Sequence, residues 1–332
     1  MRRLKFVLRC IFSLALIALV LSKVNWPKLG AVLLRLDLRW AIAGWALSFL
    51  VIAGLALRWM ILLKQQGLGF PFRTIFSLTW AGQFFNSILP GSTGGDLFKI
   101  FQLCRLAPER KAPAVATVVA DRLNALGALI VLAAVGFAIE PGPLRMVAGE
   151  RVSQRALLPA LLALTCAGAL GAWFVLRAFR DAPWLGKLHR TMTAAKTNFS
   201  VTPQLIVVVG LAFAIHVVNF SAVYLFARSL GIAISYPQVL LMMPVILFLV
   251  LIPVTINGHG LRELLLIGYL SYLHIGLNGN APGSTQEIAV AWSFLLVSND
   301  LLWSVPGGVL YLVSFRRAGA EPSGGRTAAA LQ

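Results

Sequence analysis

The sequence predicts an all-α polytopic membrane protein, and three observations carry that prediction. Of 332 residues, 59% are hydrophobic and only 12% are charged, about half the charged share of a soluble domain at roughly 25%. Mean hydropathy is +0.84, and the apolar residues gather into several runs near the length that crosses a bilayer. Two of those runs are interrupted by Pro and Gly in closely similar ways, at "NSILPGSTGGDLFKIF" (86–101) and "LIPVTINGHGLRELLL" (251–266).

In chain order, the start "MRRLKFVLRCIFSLALIALVLS" pairs a basic end with an apolar core, as a signal peptide does. No clear small-x-small cleavage site follows and more apolar runs come after, so a retained first helix over 6–22 is expected. Further apolar segments run over 41–63, 72–89, 113–139, 157–179, 204–227, 237–253, 259–275 and 288–313, with a short amphipathic piece at 96–106. The linkers are short and no shift in composition marks a soluble domain, so residues 1–315 form one membrane domain. The tail 316–332, "RRAGAEPSGGRTAAALQ", is small and polar and is expected to be disordered and cytoplasmic.

An internal repeat is present. "LGFPF" at 68–72 resembles "LGIAI" at 230–234, and Pro90 matches Pro253 at nearly the same offset. Each unit, about 41–139 and about 204–313, reads as a full span, a short link, an apolar helix, a Pro/Gly break, a second helix and another full span. Positive charge orients the pieces. Arg177, Arg180, Lys187, Arg190 and Lys196 mark 177–196 as cytoplasmic, whereas 276–287 holds no Lys or Arg. The broken segment 237–275 then begins and ends outside. Lys64, Arg73, Arg105, Arg110 and Lys111 make 72–106 begin and end inside. The expected architecture is inverted repeats with about six full spans and two re-entrant hairpins, both termini cytoplasmic; eight or more crossings is the alternative. The loop 23–40 conflicts with this scheme. It carries Lys23, Lys28, Arg35 and Arg39 against Asp37 on the outer side, which fits an interfacial amphipathic helix or a local inversion.

The net charge of +18 would suggest nucleic acid in a soluble protein. Here Lys and Arg sit at segment ends, where anionic headgroups attract them, and no soluble basic domain exists to hold nucleic acid. Cys10, Cys104 and Cys166 are scattered without metal-ligand spacing. Four His residues are not clustered, and no paired-carboxylate metal motif, Ser-His-Asp set or HExxH occurs. No metal or cofactor is expected, and no catalytic residue is assigned.

The two breaks carry the functional reading. Non-helical backbone at membrane depth is tolerated only against protein or a wet cavity. Pro90 ends the incoming helix, and Gly91, Gly94 and Gly95 permit close backbone approach. The helix beginning near Asp96 offers free N–H groups and a positive dipole end, which suits a phosphate. Pro253, Asn257, Gly258 and Gly260 repeat the pattern, with Arg262 in the next first turn, placed to grip phosphate. An ordinary surface turn with Asp96 as a simple N-cap is the bland alternative. Together the breaks are expected to form one site.

Four acids lie in or beside apolar segments: Asp96, Asp121, Glu263 and Asp300. Asp121–Arg122 and Arg262–Glu263 set opposite charges side by side, and Asn124 shares a helix face with Asp121. Each charge at depth costs about 2.5–3.5 kcal/mol on insertion scales, so these groups need partners or water. They read as an ion-pair network that locks the helices or as a polar path for a lipid headgroup. Lys99 and His259 are secondary candidates, and Gly82, Gln83 and Asn86 are placed to line the first break. His216 and Asn219 read as interhelical hydrogen bonders. Trp40, Trp45, Trp59, Trp184 and Trp303 read as interface anchors.

At these residues the chain resembles a known family. "LPGSTGGDLFKIFQLCR", then "VVADRLNALGALIVLAAVG", then "IPVTINGHGLREL" are similar to the motifs of the lysylphosphatidylglycerol synthase transmembrane region, the flippase-like domain of the multiple peptide resistance factor. The resemblance covers roughly 10–315 and points to Pro90, Gly94, Gly95, Asp96, Asp121, Arg122, Asn257, Gly258, Gly260, Arg262 and Glu263. It implies movement of a phospholipid or lipid-linked product between leaflets of the bacterial inner membrane. The soluble aminoacyl-transferase domain of the full-length resistance factor has no counterpart in this sequence, so lysyl transfer is not expected of it. An integral membrane enzyme or an accessory subunit in lipid or glycolipid synthesis is the alternative. The expected partners are membrane lipids, anionic or lipid-linked, with room left for a homodimer or a separate synthase.

Overall fold

The computed structural model describes residues 18, 20–22, 24–88, 94–139, 203–250, 260–275 and 284–315. Among these, every regular element is helical. We number α1 Trp26–Leu34, α2 Leu38–Gln65, α3 Phe72–Ile88, α4 Gly94–Leu106, α5 Lys111–Ile139, α6 Pro203–Ser229, α7 Tyr236–Val250, α8 Leu261–Tyr272 and α9 Thr285–Leu310. A 3-10 turn, Pro108–Arg110, leads into α5, and a π turn, Tyr311–Phe315, extends α9.

Local chemistry sets the boundaries. Asn25 caps α1 by accepting the Lys28 N–H at 3.2 Å, and Asp37 caps α2 by accepting the Arg39 N–H at 3.0 Å. Ser284 and Glu287 open α9 with a capping box, Glu287 accepting the Ser284 N–H at 2.8 Å. α2 and α6 end alike. Gly67 and Gly231 take φ of +70° and +68°. The N–H of Leu68 reaches back to the Leu63 carbonyl and that of Ile232 to the Ala227 carbonyl. Both are left-handed glycine caps of the Schellman type, each with its following apolar residue buried.

This pair corrects the repeat register. The sequence match set Gly69 against Gly231, but the left-handed cap falls on Gly67, since only that glycine follows the last helical turn. Gln65 and Ser229, Gly67 and Gly231, and Phe72 and Tyr236 are all equivalent at a single offset of 164 positions.

The packing follows the repeat. α2 lies along α6 at the centre. α3 packs on α9 as α7 packs on α5, α3 on α4 as α7 on α8, and α4 on α5 as α8 on α9. Gly44 faces Phe226 while Gly54 faces Ile215, so α2 and its equivalent α6 run antiparallel. Equivalent helices that run antiparallel make the repeats inverted.

Four helices are long and apolar enough to cross a membrane among the described residues: Leu38–Gln65, Pro108–Gly136, Pro203–Ser229 and Thr285–Val313. They coincide with four of the six expected full spans; the other two, 157–179 and nearly all of 6–22, lie outside the described residues. α3 and α7, at 17 and 15 residues, reach only about 25 Å at ~1.5 Å per residue, short of a ~30 Å hydrocarbon core. Large apolar side chains such as Ile206, Phe294 and Leu301 lie exposed on the long helices, as a lipid-facing surface requires. Small residues allow close packing: a Cβ on Gly307 would sit 2.2 Å from the Trp80 carbonyl oxygen. Trp59 corrects its expected role as an interface anchor. It is fully buried in the first unit and donates to Thr117 at 3.3 Å, because α2 is covered there by α3 and α5.

Candidate functional site

The charged groups at depth fall into two clusters, one in each unit. In the first, Arg58 of α2 donates Nε to Asp121 of α5 at 2.7 Å, and both residues are buried. Asp96, in the first turn of α4, pairs with Arg122 of α5. Lys99, one turn further, is buried with Nζ 4.7 Å over the Trp59 ring. Asn86 accepts the Gly95 N–H at 2.7 Å and donates to Gln83 at 3.2 Å. Gly95 lies so near Gly82 that a Cβ would come within 2.4 Å of the Gly82 carbonyl oxygen. Asn124 donates to the Val208 carbonyl at 3.0 Å and His216 lies 3.0 Å from the Ala125 carbonyl, so both join α5 to α6.

The second cluster is built differently. Gly260 has φ of +85°, open to glycine at little cost, and begins α8. Glu263 turns back to accept the Gly260 N–H and also accepts the Ser293 hydroxyl of α9. Arg262 points the other way. Its Nη2 is 3.6 Å from Glu263 and its Nη1 is 3.5 Å from Asp300 of α9, beyond the ~2.7–3.2 Å of an N–H···O hydrogen bond. Among the described residues, the Nε and Nη2 atoms are buried with no hydrogen-bond partner, and so is Oδ1 of Asn299.

Arg262, Asn299 and Asp300 border a cavity of about 180 Å³ between α2, α6, α7, α8 and α9, well above the ~10–15 Å³ that one water needs. Ser48, Asn219, Asn299, Asp300 and Arg262 supply its polar wall, and Val223, Phe226, Met243, Ile246, Leu247 and Leu296 supply most of the apolar remainder. A forked cation with free donors beside apolar walls suits an oxyanion attached to an apolar body.

Among the described residues, the charged groups expected at the single site fall in two places. Arg262 and Asp300 line the cavity, but Asp96, Asp121 and Arg122 do not. They are taken up in ion pairs around α5. Gly94 and Gly95 are buried at the start of α4. Pro90, Gly91, Pro253, Asn257, Gly258 and His259 lie outside the described residues. The sequence reading missed Arg58, Ser48 and Ser293. Arg58 had a signal: a cation within the apolar run "LALRWMILL" needs a buried acid as surely as an acid needs a cation.

Compared with known proteins, residues 6–296 match the family described as the lysylphosphatidylglycerol synthase transmembrane region. The chain belongs to this family. It is also 28% identical over 141 residues to a UPF0104 membrane protein of Methanocaldococcus jannaschii. That match covers 42% of this chain and 42% of the relative, so the chain spans less than half of that relative's length. Membership and the apolar helices together make this member of the transmembrane-region family an integral membrane protein. The family's description ties it to a lipid synthase.

Proposed function

We propose that the chain is a lipid transporter that moves a phospholipid or lipid-linked product between the leaflets of the bacterial inner membrane, with both termini cytoplasmic. The headgroup phosphate docks on Arg262. The observation that carries this reading is a largely buried guanidinium on a cavity wall, of which Nε and Nη2 make no hydrogen bond among the described residues. Leaving such donors unmade costs about 1–3 kcal/mol each, and a phosphate restores them with charge-assisted bonds. Asp300, half exposed beside Arg262, meets any cationic part of the headgroup. The broken hairpins 72–106 and 237–275 re-enter rather than cross, and the inverted units rock to expose the cavity to each side in turn. On this reading no covalent bond is made or broken.

The test is reconstitution in liposomes with fluorescent phospholipids of several headgroup classes, scored by dithionite quenching, for wild type and Arg262→Ala. Protein-dependent exposure of inner-leaflet lipid, about tenfold to a hundredfold slower in the variant, is expected from the loss of one charged hydrogen-bonding group at ~1.5–3 kcal/mol. No protein-dependent movement across the lipid classes would sink the transporter reading in favour of an enzyme or accessory subunit.

A further inference from the structure

A second polar feature lies on the surface, away from the Arg262 cavity. The first long connection is not a loop but α1, whose Leu29 and Val32 are buried against Val290 and Ala291 of α9 and Leu264 and Ile267 of α8. The rest of the helix faces out. Trp26 and Leu34 are 59% and 90% exposed, and Trp40 at the start of α2 is 42% exposed. Between these apolar groups stand Lys28, Arg35 and Arg39, all exposed. The Asp37 N–H bonds the Ser229 carbonyl at 2.8 Å, which brings the end of α6 and its exposed Arg228 to the same edge.

Two acids share this edge, and both are engaged. Asp37 caps α2 through the Arg39 N–H, and Glu287 is buried, holding the N–H groups of Asn25 and Ser284. Among the described residues none of the four cations is ion-paired. Nor are they the only basic residues that topology has to place. Arg110 bonds the carbonyls of Gln66 and Gly67 and so marks the opposite ends of α2 and α5, where Lys64 and Lys111 also lie.

We propose that α1 and the adjoining ends of α2 and α6 form a binding site for the headgroups of anionic phospholipids at the membrane interface, separate from the Arg262 cavity. At nine residues, α1 reaches about 14 Å and lies along the interface rather than across it. Trp26, Leu34 and Trp40 seat at headgroup level, where indole rings are stable. The four cations meet the phosphates, each gaining about 1 kcal/mol near an anionic surface. Because α1 shares its core with α8, a lipid held there bears on the helix that carries Arg262. The site itself does not depend on whether the protein transports lipid.

The experiment uses the purified, delipidated full chain in neutral detergent, with phosphatidylglycerol or phosphatidylcholine added. Phosphatidylglycerol is expected to raise the unfolding midpoint above the value with phosphatidylcholine in wild type and in a control with Lys64→Gln and Lys111→Gln on the opposite face. The combined variant Lys28→Gln, Arg35→Gln, Arg39→Gln, Arg228→Gln should lose most of that rise. A full rise in the combined variant, or no preference for phosphatidylglycerol in wild type, overturns the proposal. Should the combined variant not fold, tryptophan quenching decides. Dibrominated phosphatidylglycerol should quench wild type at least twice as strongly as dibrominated phosphatidylcholine, and Trp26→Phe with Trp40→Phe should remove the difference. Equal quenching by the two lipids overturns the site.

Discussion

The helices that follow the two breaks, α4 and α8, occupy equivalent places in the repeat and were given opposite electrostatics. α4 opens with an acid, Asp96, that pairs with a cation on the next long helix, Arg122. α8 opens with a cation, Arg262, that faces an acid on the next long helix, Asp300. In the first unit Asp96 and Asp121 each have a hydrogen-bonded arginine, and Asn86 accepts the Gly95 N–H. In the second, the carboxylates stand too far away to bond Arg262, and a cavity takes the remaining space. The same backbone device therefore serves packing in one half and leaves donors available in the other. What distinguishes them is hydrogen-bond distance, not the presence of charge.

The largest effect should come from opening the closed half. Arg58→Met leaves Asp121 charged and buried, and should cost about 3–5 kcal/mol of stability. Thermal unfolding in detergent checks this, and Asp121→Leu added to Arg58→Met should recover much of the loss. If the single variant is as stable as wild type, the first cluster is not a lock.

Next is Arg262→Lys, which keeps the charge and loses the fork. Lipid movement should fall about tenfold, near the lower end of a charged hydrogen bond at ~1.5 kcal/mol, with the unfolding midpoint little changed. A transport rate equal to wild type would mean that charge alone suffices, which would blur the contrast between the two helices.

Backbone approach gives a third contrast. Gly95→Ala forces a Cβ toward the Gly82 carbonyl, whereas Gly268→Ala in α8 meets nothing within 4 Å. The first should destabilise by about 1–3 kcal/mol, and the second should be neutral or stabilise by up to ~1 kcal/mol from helix propensity. Unfolding midpoints of the two variants, measured side by side, check the pair.

The smallest effect is expected at Ser293→Ala. It removes one of the donors to Glu263 and should cost about 1 kcal/mol, while the Gly260 N–H still holds the carboxylate. A large loss of transport without loss of stability would show that Ser293 acts on Arg262 through Glu263.

Much of this protein was written in local patterns. Low charge and long apolar runs specify helices in lipid, because only closed backbone hydrogen bonding survives there. The Pro/Gly breaks recur in the sequence of the two units, and the acids at depth were visible as costly exceptions. The helices α2, α3, α6 and α7 begin within a few residues of the apolar segments read from the sequence. The pairing of those charges was not legible. Arg58 and Asp121 are 63 positions apart, and only the packing of α2 on α5 brings them together. Likewise nothing in "GLREL" tells that Glu263 turns toward Ser293 while Arg262 turns into a cavity lined by Ser48 and Asn219 from other helices. Sequence by itself determined the solvent, the helices and which groups would be expensive to bury. Tertiary structure decided which of those groups are satisfied and which remain open, because hydrogen bonding depends on fractions of an ångström between segments far apart in the chain.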